Sequence, residues 1–362
     1  MKQLSTYRDA DLTQKWVKAI ASITTQTWNI MEVCGGQTHS IIKYGIDQLI
    51  PETIDLIHGP GCPVCVTPIA YIDKALAIAE QTDVIFCSFG DMLRVPGSAN
   101  DLLNLKAQGA DIRVVYSPMD AISLAQLNPH RQIVFFAVGF ETTVPTTALA
   151  VYKAQQLRLP NFSLLSCHVR VPPVVSKLFN SPNNRVQGLL GAGHVSSVMG
   201  YHEYLPIASQ YRIPIVITGF EPVDILQGLF FCIKQLENGQ YEVENQYRRV
   251  VKLEGNLTAQ QLMQKVFVTV DREWRGLGKI TGGGLALNGN FSEWDAEQRF
   301  NTTSNIFKES SICKIGDILQ GLIKPPQCPE FGNRCTPEHP VGATMVSSEG
   351  ACAAYFRYRS TY

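Results

Sequence analysis

Apolar positions along the chain gather in short clusters separated by longer amphipathic stretches. After a helical N-terminal segment, the runs NIMEV (29–33), TIDLIH (53–58), DVIFCSF (83–89), IRVVYS (112–117), QIVFFAVGF (132–140), FSLLSC (162–167) and IPIVITGF (213–220) read as strands. Each leads toward a turn or a helical pattern, and that alternation predicts an α/β fold with mainly parallel sheets. Three strand ends look alike: VIFCSFGD (84–91), VFFAVGFE (134–141) and IVITGFE (215–221) each run from apolar residues through Gly and Phe to an acid. They read either as a weak internal repeat, giving two similar Rossmann-like α/β units, or as chance likeness among buried strands. The expected division is an α/β domain with thiol loops over 1–120, a second α/β domain over 121–225, and an irregular C-terminal domain over 226–362. The texture changes there, through a polar stretch and the glycine-rich GLGKITGGGLALNGN to a Cys/Pro/Gly-rich tail. The closing YFRYRSTY is expected to pack back on the body, because its aromatics are costly to expose.

Composition narrows the class. A chain of 362 residues, 45% of them hydrophobic, can bury a sizeable core, and its 31 basic and 31 acidic residues leave no field that draws nucleic acid or an anionic membrane. The first residues lack a signal peptide's apolar stretch, and no apolar run approaches the roughly 18 residues of a spanning helix. The expected address is the cytoplasm. In that setting ten cysteines suggest metal-binding or redox thiols rather than structural disulfides.

Their spacing supports this. Cys34, in MEVCGGQTHS, follows a strand and opens a helical pattern, where unpaired N–H groups favour a thiolate and His39 is a candidate ligand or proton carrier. Cys62 and Cys65, in GPGCPVCVTP (59–68), occupy a second strand-to-helix turn, and a Cys-x-x-Cys pair can close a disulfide or share a metal. If the two strands are neighbours, Cys34, Cys62 and Cys65 converge beyond the carboxyl ends, where open α/β sheets bind ligands. Glu141 and Thr142, in GFETT, end another strand and could face the same crevice to position a ligand or shuttle protons; alternatively Thr142 or Thr143 caps the helix containing Pro145. Cys87, Cys167 and Cys232 lie in apolar runs and read as core. The last four, Cys313, Cys328, Cys335 and Cys352, fall in a proline-stiffened segment as C-x14-C-x6-C-x16-C. Four thiolates satisfy either zinc or a [4Fe–4S] cluster, and the absence of Cys-x2-Cys knuckles tilts the reading toward iron–sulfur.

With CGGQTH (34–39), GPGCPVCVTP, GFETT, GAGHVSSVMG (191–200), TGFEPVD (218–224) and the quartet followed by MVSSEGACAAYFRY in this order, nearly the whole chain resembles the HypD family of [NiFe]-hydrogenase maturation proteins. The resemblance implies a scaffold and redox component on which one iron acquires two cyanides and a carbon monoxide. Its implied partners are the chaperone HypC, the cyanide donor HypE and, indirectly, the hydrogenase large subunit. It implies that Cys34 binds the transient iron, with Cys65 a second candidate ligand and Cys62 its redox partner, while Cys313, Cys328, Cys335 and Cys352 hold a [4Fe–4S] cluster. The other readings of the residues are a freestanding thiol–disulfide oxidoreductase using Cys62 and Cys65, and a zinc-stabilised binding module.

Overall fold

The computed structural model describes residues 6–301 and 312–359. Among them eleven strands form two sheets: β1 (Trp28–Glu32), β2 (Ile54–His58), β3 (Val84–Ser88), β4 (Ile112–Val114), β5 (Gln132–Gly139), β6 (Phe162–Val169), β7 (Gly188–Ala192), β8 (Ile215–Thr218), β9 (Val243–Asn245), β10 (Phe267–Trp274) and β11 (Gly278–Leu287). The first sheet has the order β2-β1-β7-β8-β9, all parallel. The second has the order β10-β11-β6-β5-β3-β4; its β6-β5-β3-β4 part is parallel, and β11 and β10 are added antiparallel. Helices connect the parallel strands and cover both faces. That is why β3, β6, β7 and β8 are buried along their whole length and read as continuous apolar runs.

The strands expected from the apolar runs form, but the divisions at 120 and 225 do not follow the sheets. The chain lays down β1 and β2, leaves to build β3 to β6 in the other sheet, returns for β7 to β9, and leaves again for β10 and β11. Periodicity marks a strand without naming its neighbour, and here the neighbours of β1 are separated by more than a hundred residues. The helix Pro222–Glu237 runs straight across the expected boundary. Nor is the glycine-rich stretch irregular. It forms β11, whose Gly284 and Leu285 pair with Val169 and His168, and its turn from β10 uses Gly276 and Gly278, both at positive φ. The three similar strand ends also occupy unlike places: two close β3 and β5 of one sheet, while the third closes β8 of the other.

Within each sheet the parallel strands run second-first-third-fourth in order of appearance. That order creates a point where successive connections depart in opposite directions, between β1 and β7 in the first sheet and between β3 and β5 in the second. One apolar cluster joins the two units. It includes Met31, Val33 and Ile57 from the first side and Val169, Trp274 and Ile280 from the second. The C-terminal helix Ala351–Tyr358 packs on the helix Gly35–Lys43, so the described part of the tail returns to the body; residues 360–362 lie outside the described residues. Among the described residues no helix is long and apolar enough to cross a membrane.

Candidate functional site: a thiol crevice at the end of β1

Cys34 sits just past the carboxyl end of β1, at the switch point of the first sheet, and caps the helix Gly35–Lys43. Its backbone N–H donates to Glu32 Oε2 at 2.8 Å. The N–H groups of Gly36 and Gln37 face its sulfur and favour the thiolate, as a helix start should, but they are outweighed. Burial, reinforced by the acids Glu349 and Glu32, pushes the Cys34 thiol up to about 12. The expected easy ionisation therefore does not hold for the side chain in this environment. Phe220 overlies the same turn, with its ring edge 3.1 Å from where a Cβ on Gly36 would stand, and His194 stacks on Phe220 at 3.8 Å.

The second thiol loop lies directly against the first. Gly35 N–H donates to the Gly61 carbonyl at 2.7 Å, and Gly59 N–H donates to the Glu32 carbonyl at 2.8 Å. A Cβ on Gly61 would be 2.3 Å from the Cys34 nitrogen, so only glycine lets the two backbones meet. Cys62 and Cys65 are joined in a disulfide across a Cα–Cα distance of 5.3 Å. Both are buried, and the Cys65 N–H donates to Cys62 Sγ at 3.2 Å.

Beneath Cys34 lies a buried polar group that the motif reading missed. The parallel register of β1 and β2 sets Glu32 beside His58. Glu32 Oε1 meets His58 Nδ1 at 2.8 Å and accepts the Thr38 hydroxyl, and His58 Nε2 faces the Tyr355 hydroxyl at 3.4 Å. The available signal was a single acid and a single histidine, each the last residue of a short, mostly apolar strand.

The remaining predicted residues point elsewhere. His39 Nδ1 donates to the Ser348 carbonyl at 3.2 Å and its Nε2 faces the Tyr358 hydroxyl at 3.4 Å, so its ring is engaged by the C-terminal segment. Glu141 accepts the Val171 N–H at 3.0 Å through Oε1, while its buried Oε2 has no partner. Burial raises its carboxyl to about 7, with Arg170 working against the shift and Glu203 with it. It lines a cavity of about 200 Å³ together with Arg170, His202, Glu203 and Met263, and no thiol-loop residue shares that lining. Thr142 is half-buried beside it. Neither threonine hydroxyl caps the helix Val144–Leu157; Thr143 is its N-cap residue, but its hydroxyl donates to the Phe140 carbonyl at 3.2 Å. Cys87, Cys167 and Cys232 are buried core thiols, each pushed up by desolvation.

All four C-terminal cysteines line one cavity, walled by Ile318, Phe331, Val341 and Met345. Cys313 precedes the helix Ile315–Leu319, whose first N–H turns to its sulfur. Cys328 closes the turn Pro325–Gln327, Cys335 is tied back through its N–H to the Glu330 carbonyl at 2.9 Å, and Cys352 lies in the first turn of the helix Ala351–Tyr358. The Thr344 hydroxyl donates to Cys352 Sγ at 3.1 Å. A Cβ on Gly342 would stand 2.3 Å from Cys313 Sγ, so bare backbone keeps that flank open. Among the described residues no three His, Cys, Asp or Glu side chains meet closely enough to hold a single ion.

A sequence model described as HypD, Hydrogenase formation hypA family, matches residues 11–359. The chain is 50% identical over 331 residues to the hydrogenase maturation factor HypD of Escherichia coli K12, covering 91% of this chain and 89% of that one. Its identity to the factor of the same name from Rhodobacter capsulatus is 46% over 370 residues, covering 99% and 98%. To that of Cupriavidus necator it is 44% over 368 residues, covering 99% and 97%.

Proposed function

The chain belongs to the HypD family of hydrogenase maturation factors, and on that premise we propose that it is a cytoplasmic scaffold and redox component for assembling the Fe(CN)2CO unit. It works with HypC and receives cyanide from HypE, for eventual delivery to the hydrogenase large subunit. The observation that carries this reading is the contact of Cys34, at the switch point of the first sheet, with the Gly61 backbone beside the Cys62–Cys65 disulfide. Iron is the cargo. Its arrival displaces the Cys34 proton, since a thiol must be deprotonated to ligate. The N–H groups of Gly36 and Gln37, already turned to the sulfur, then offset negative charge gathered on the cargo. Glu32 holds the loop backbone from below.

The dithiol couple supplies redox capacity. Reducing the disulfide takes two electrons and two protons and frees Cys65 as a second ligand; re-forming it returns the two electrons to the assembling centre. Cys313, Cys328, Cys335 and Cys352 suit a [4Fe–4S] cluster, being four soft donors around a shared, apolar-walled space rather than at one point. Such a cluster would supply electrons one at a time. The turn Ala343–Met345, which contributes Thr344 and Met345 to that cavity, packs on the helix Pro63–Val66 that carries Cys65.

The test is infrared spectroscopy of the anaerobically isolated complex with HypC. Native protein should show cyanide and carbonyl stretching bands, and Cys34→Ala should lose them while keeping its C-terminal iron. Competent material without such bands sinks the proposal. The existing disulfide also favours a freestanding oxidoreductase acting on protein disulfides or small thiols, but its two cysteines are only 3% and 1% exposed, out of reach of a docking substrate. That reading requires turnover without a partner and tolerance of Cys34→Ala.

A further inference from the structure

The disulfide is one route between the four-cysteine site and Cys34; a chain of buried hydrogen bonds makes a second. Cys352 and Tyr355 lie one turn apart on the helix Ala351–Tyr358. The Tyr355 hydroxyl faces His58 Nε2 at 3.4 Å, His58 Nδ1 meets Glu32 Oε1 at 2.8 Å, and Glu32 Oε2 accepts the Cys34 backbone N–H at 2.8 Å. Glu32, His58 and Tyr355 are 0%, 4% and 6% exposed, so water cannot replace a partner that moves away. A buried carboxylate held by three donors has little freedom, and its neighbours shift with it.

The same C-terminal segment straps the Cys34 helix from outside. Ser348 and Tyr358 hold the two ring nitrogens of His39. Glu349 leaves room only for glycine at position 35, where a Cβ would stand 2.4 Å from Glu349 Cβ. The segment thus meets the first turn of the Cys34 helix on one face and its buried carboxylate on another.

We infer that Glu32, His58 and Tyr355 are positioning residues that couple the four-cysteine site to Cys34, so that filling the quartet sets the Cys34 loop through the C-terminal helix. This deepens the proposed function and rests on it in taking the quartet as a metal site. Tyr355 acts through His58, and His58 through Glu32; none of the three touches the cargo. The coupling makes the scaffold ready for iron only when its C-terminal site is loaded.

The experiment uses the full-length chain, purified anaerobically, and follows iodoacetamide labelling of Cys34 by mass spectrometry of its tryptic peptide before and after metal removal by a chelator. Metal removal should speed Cys34 labelling about fivefold, the equivalent of one ordinary hydrogen bond. Tyr355→Phe should keep its iron, label at the faster rate already, and gain little more on chelation. His58→Asn keeps a donor toward Glu32, lacks the nitrogen that faces Tyr355, lies outside the quartet, and should behave in the same way. Native labelling with a native chelation response in these variants overturns the coupling. So does loss of iron from both, since that marks a structural role. Native protein without iron in the quartet is a separate result, read from metal analysis before any labelling, and overturns the iron–sulfur reading as well.

Discussion

Replacing Gly61 by alanine tests whether the two thiol loops must touch. The added Cβ would lie 2.3 Å from the Cys34 nitrogen, 2.5 Å from its Cα and 2.6 Å from its carbonyl carbon. Packed heavy atoms settle at about 3.5 Å, so the loops must part by roughly 1 Å. The obstacle is backbone and cannot rotate aside. Parting also strains the bond from Gly35 N–H to the Gly61 carbonyl, now 2.7 Å long. Overpacking of this kind costs about 1–3 kcal/mol, and a weakened buried hydrogen bond adds about 1 kcal/mol. A loss of about 3 kcal/mol is therefore expected, within the roughly 5–15 kcal/mol that holds a typical domain folded. Gly289→Ala is the control, because a Cβ there meets nothing within 4 Å. Urea unfolding should separate the two variants by about 3 kcal/mol, with Gly289→Ala within about 0.5 kcal/mol of native. Cys34 should also label faster in Gly61→Ala. If the two variants match in both measurements, the loops do not need this contact and the argument from Gly61 is refuted.

Three further outcomes follow from other parts of the molecule. Glu32→Ala removes one partner of a pair whose side chains are 0% and 3% exposed, and should cost about 3–5 kcal/mol in urea unfolding; a loss no larger than that of exposed Glu80→Ala contradicts the buried pair. Glu141 is raised by burial to about 7, above its ordinary value. The unfolded chain therefore releases this proton first as pH rises. The contribution is intact below the ordinary carboxyl range and is lost as pH climbs toward and through about 7. Glu141→Gln should gain stability over native at pH 8 and little at pH 4, and equal differences at both pH values would count against the shift. Cys352→Ser should lose the C-terminal iron while Cys87→Ser retains it, both read by metal analysis; full iron in Cys352→Ser contradicts the assignment of the quartet.

Much of the site was legible as chemistry. Cys34, Cys62 and Cys65 stood out because each follows an apolar run at a strand-to-helix turn, and the four C-terminal thiols stood out because nothing else in their proline-rich surroundings explains them. Glu32 and His58 were not legible. Each looks like an isolated polar residue until the parallel register of β1 and β2 sets them side by side. Glu141 was legible as a candidate but was expected in the thiol crevice; its carboxylate is instead turned to the start of the helix Val171–Phe179 and to a separate cavity. The strand that ends in Gly139 belongs to the second sheet, whereas Cys34 follows a strand of the first.

By itself the sequence determined the α/β class, most of the parallel strands and which cysteines share a loop, because periodicity and turn chemistry act over a few residues. Only the tertiary structure decided that β1 pairs on one side with the distant β7 while the intervening β3 to β6 go to the other sheet, that Gly61 abuts Cys34, and that the helix of Cys352 reaches Glu32 through Tyr355 and His58. Those outcomes depend on which distant surfaces bury each other best. Local pattern carries no information about that choice, since an apolar strand face suits any apolar partner of the right shape.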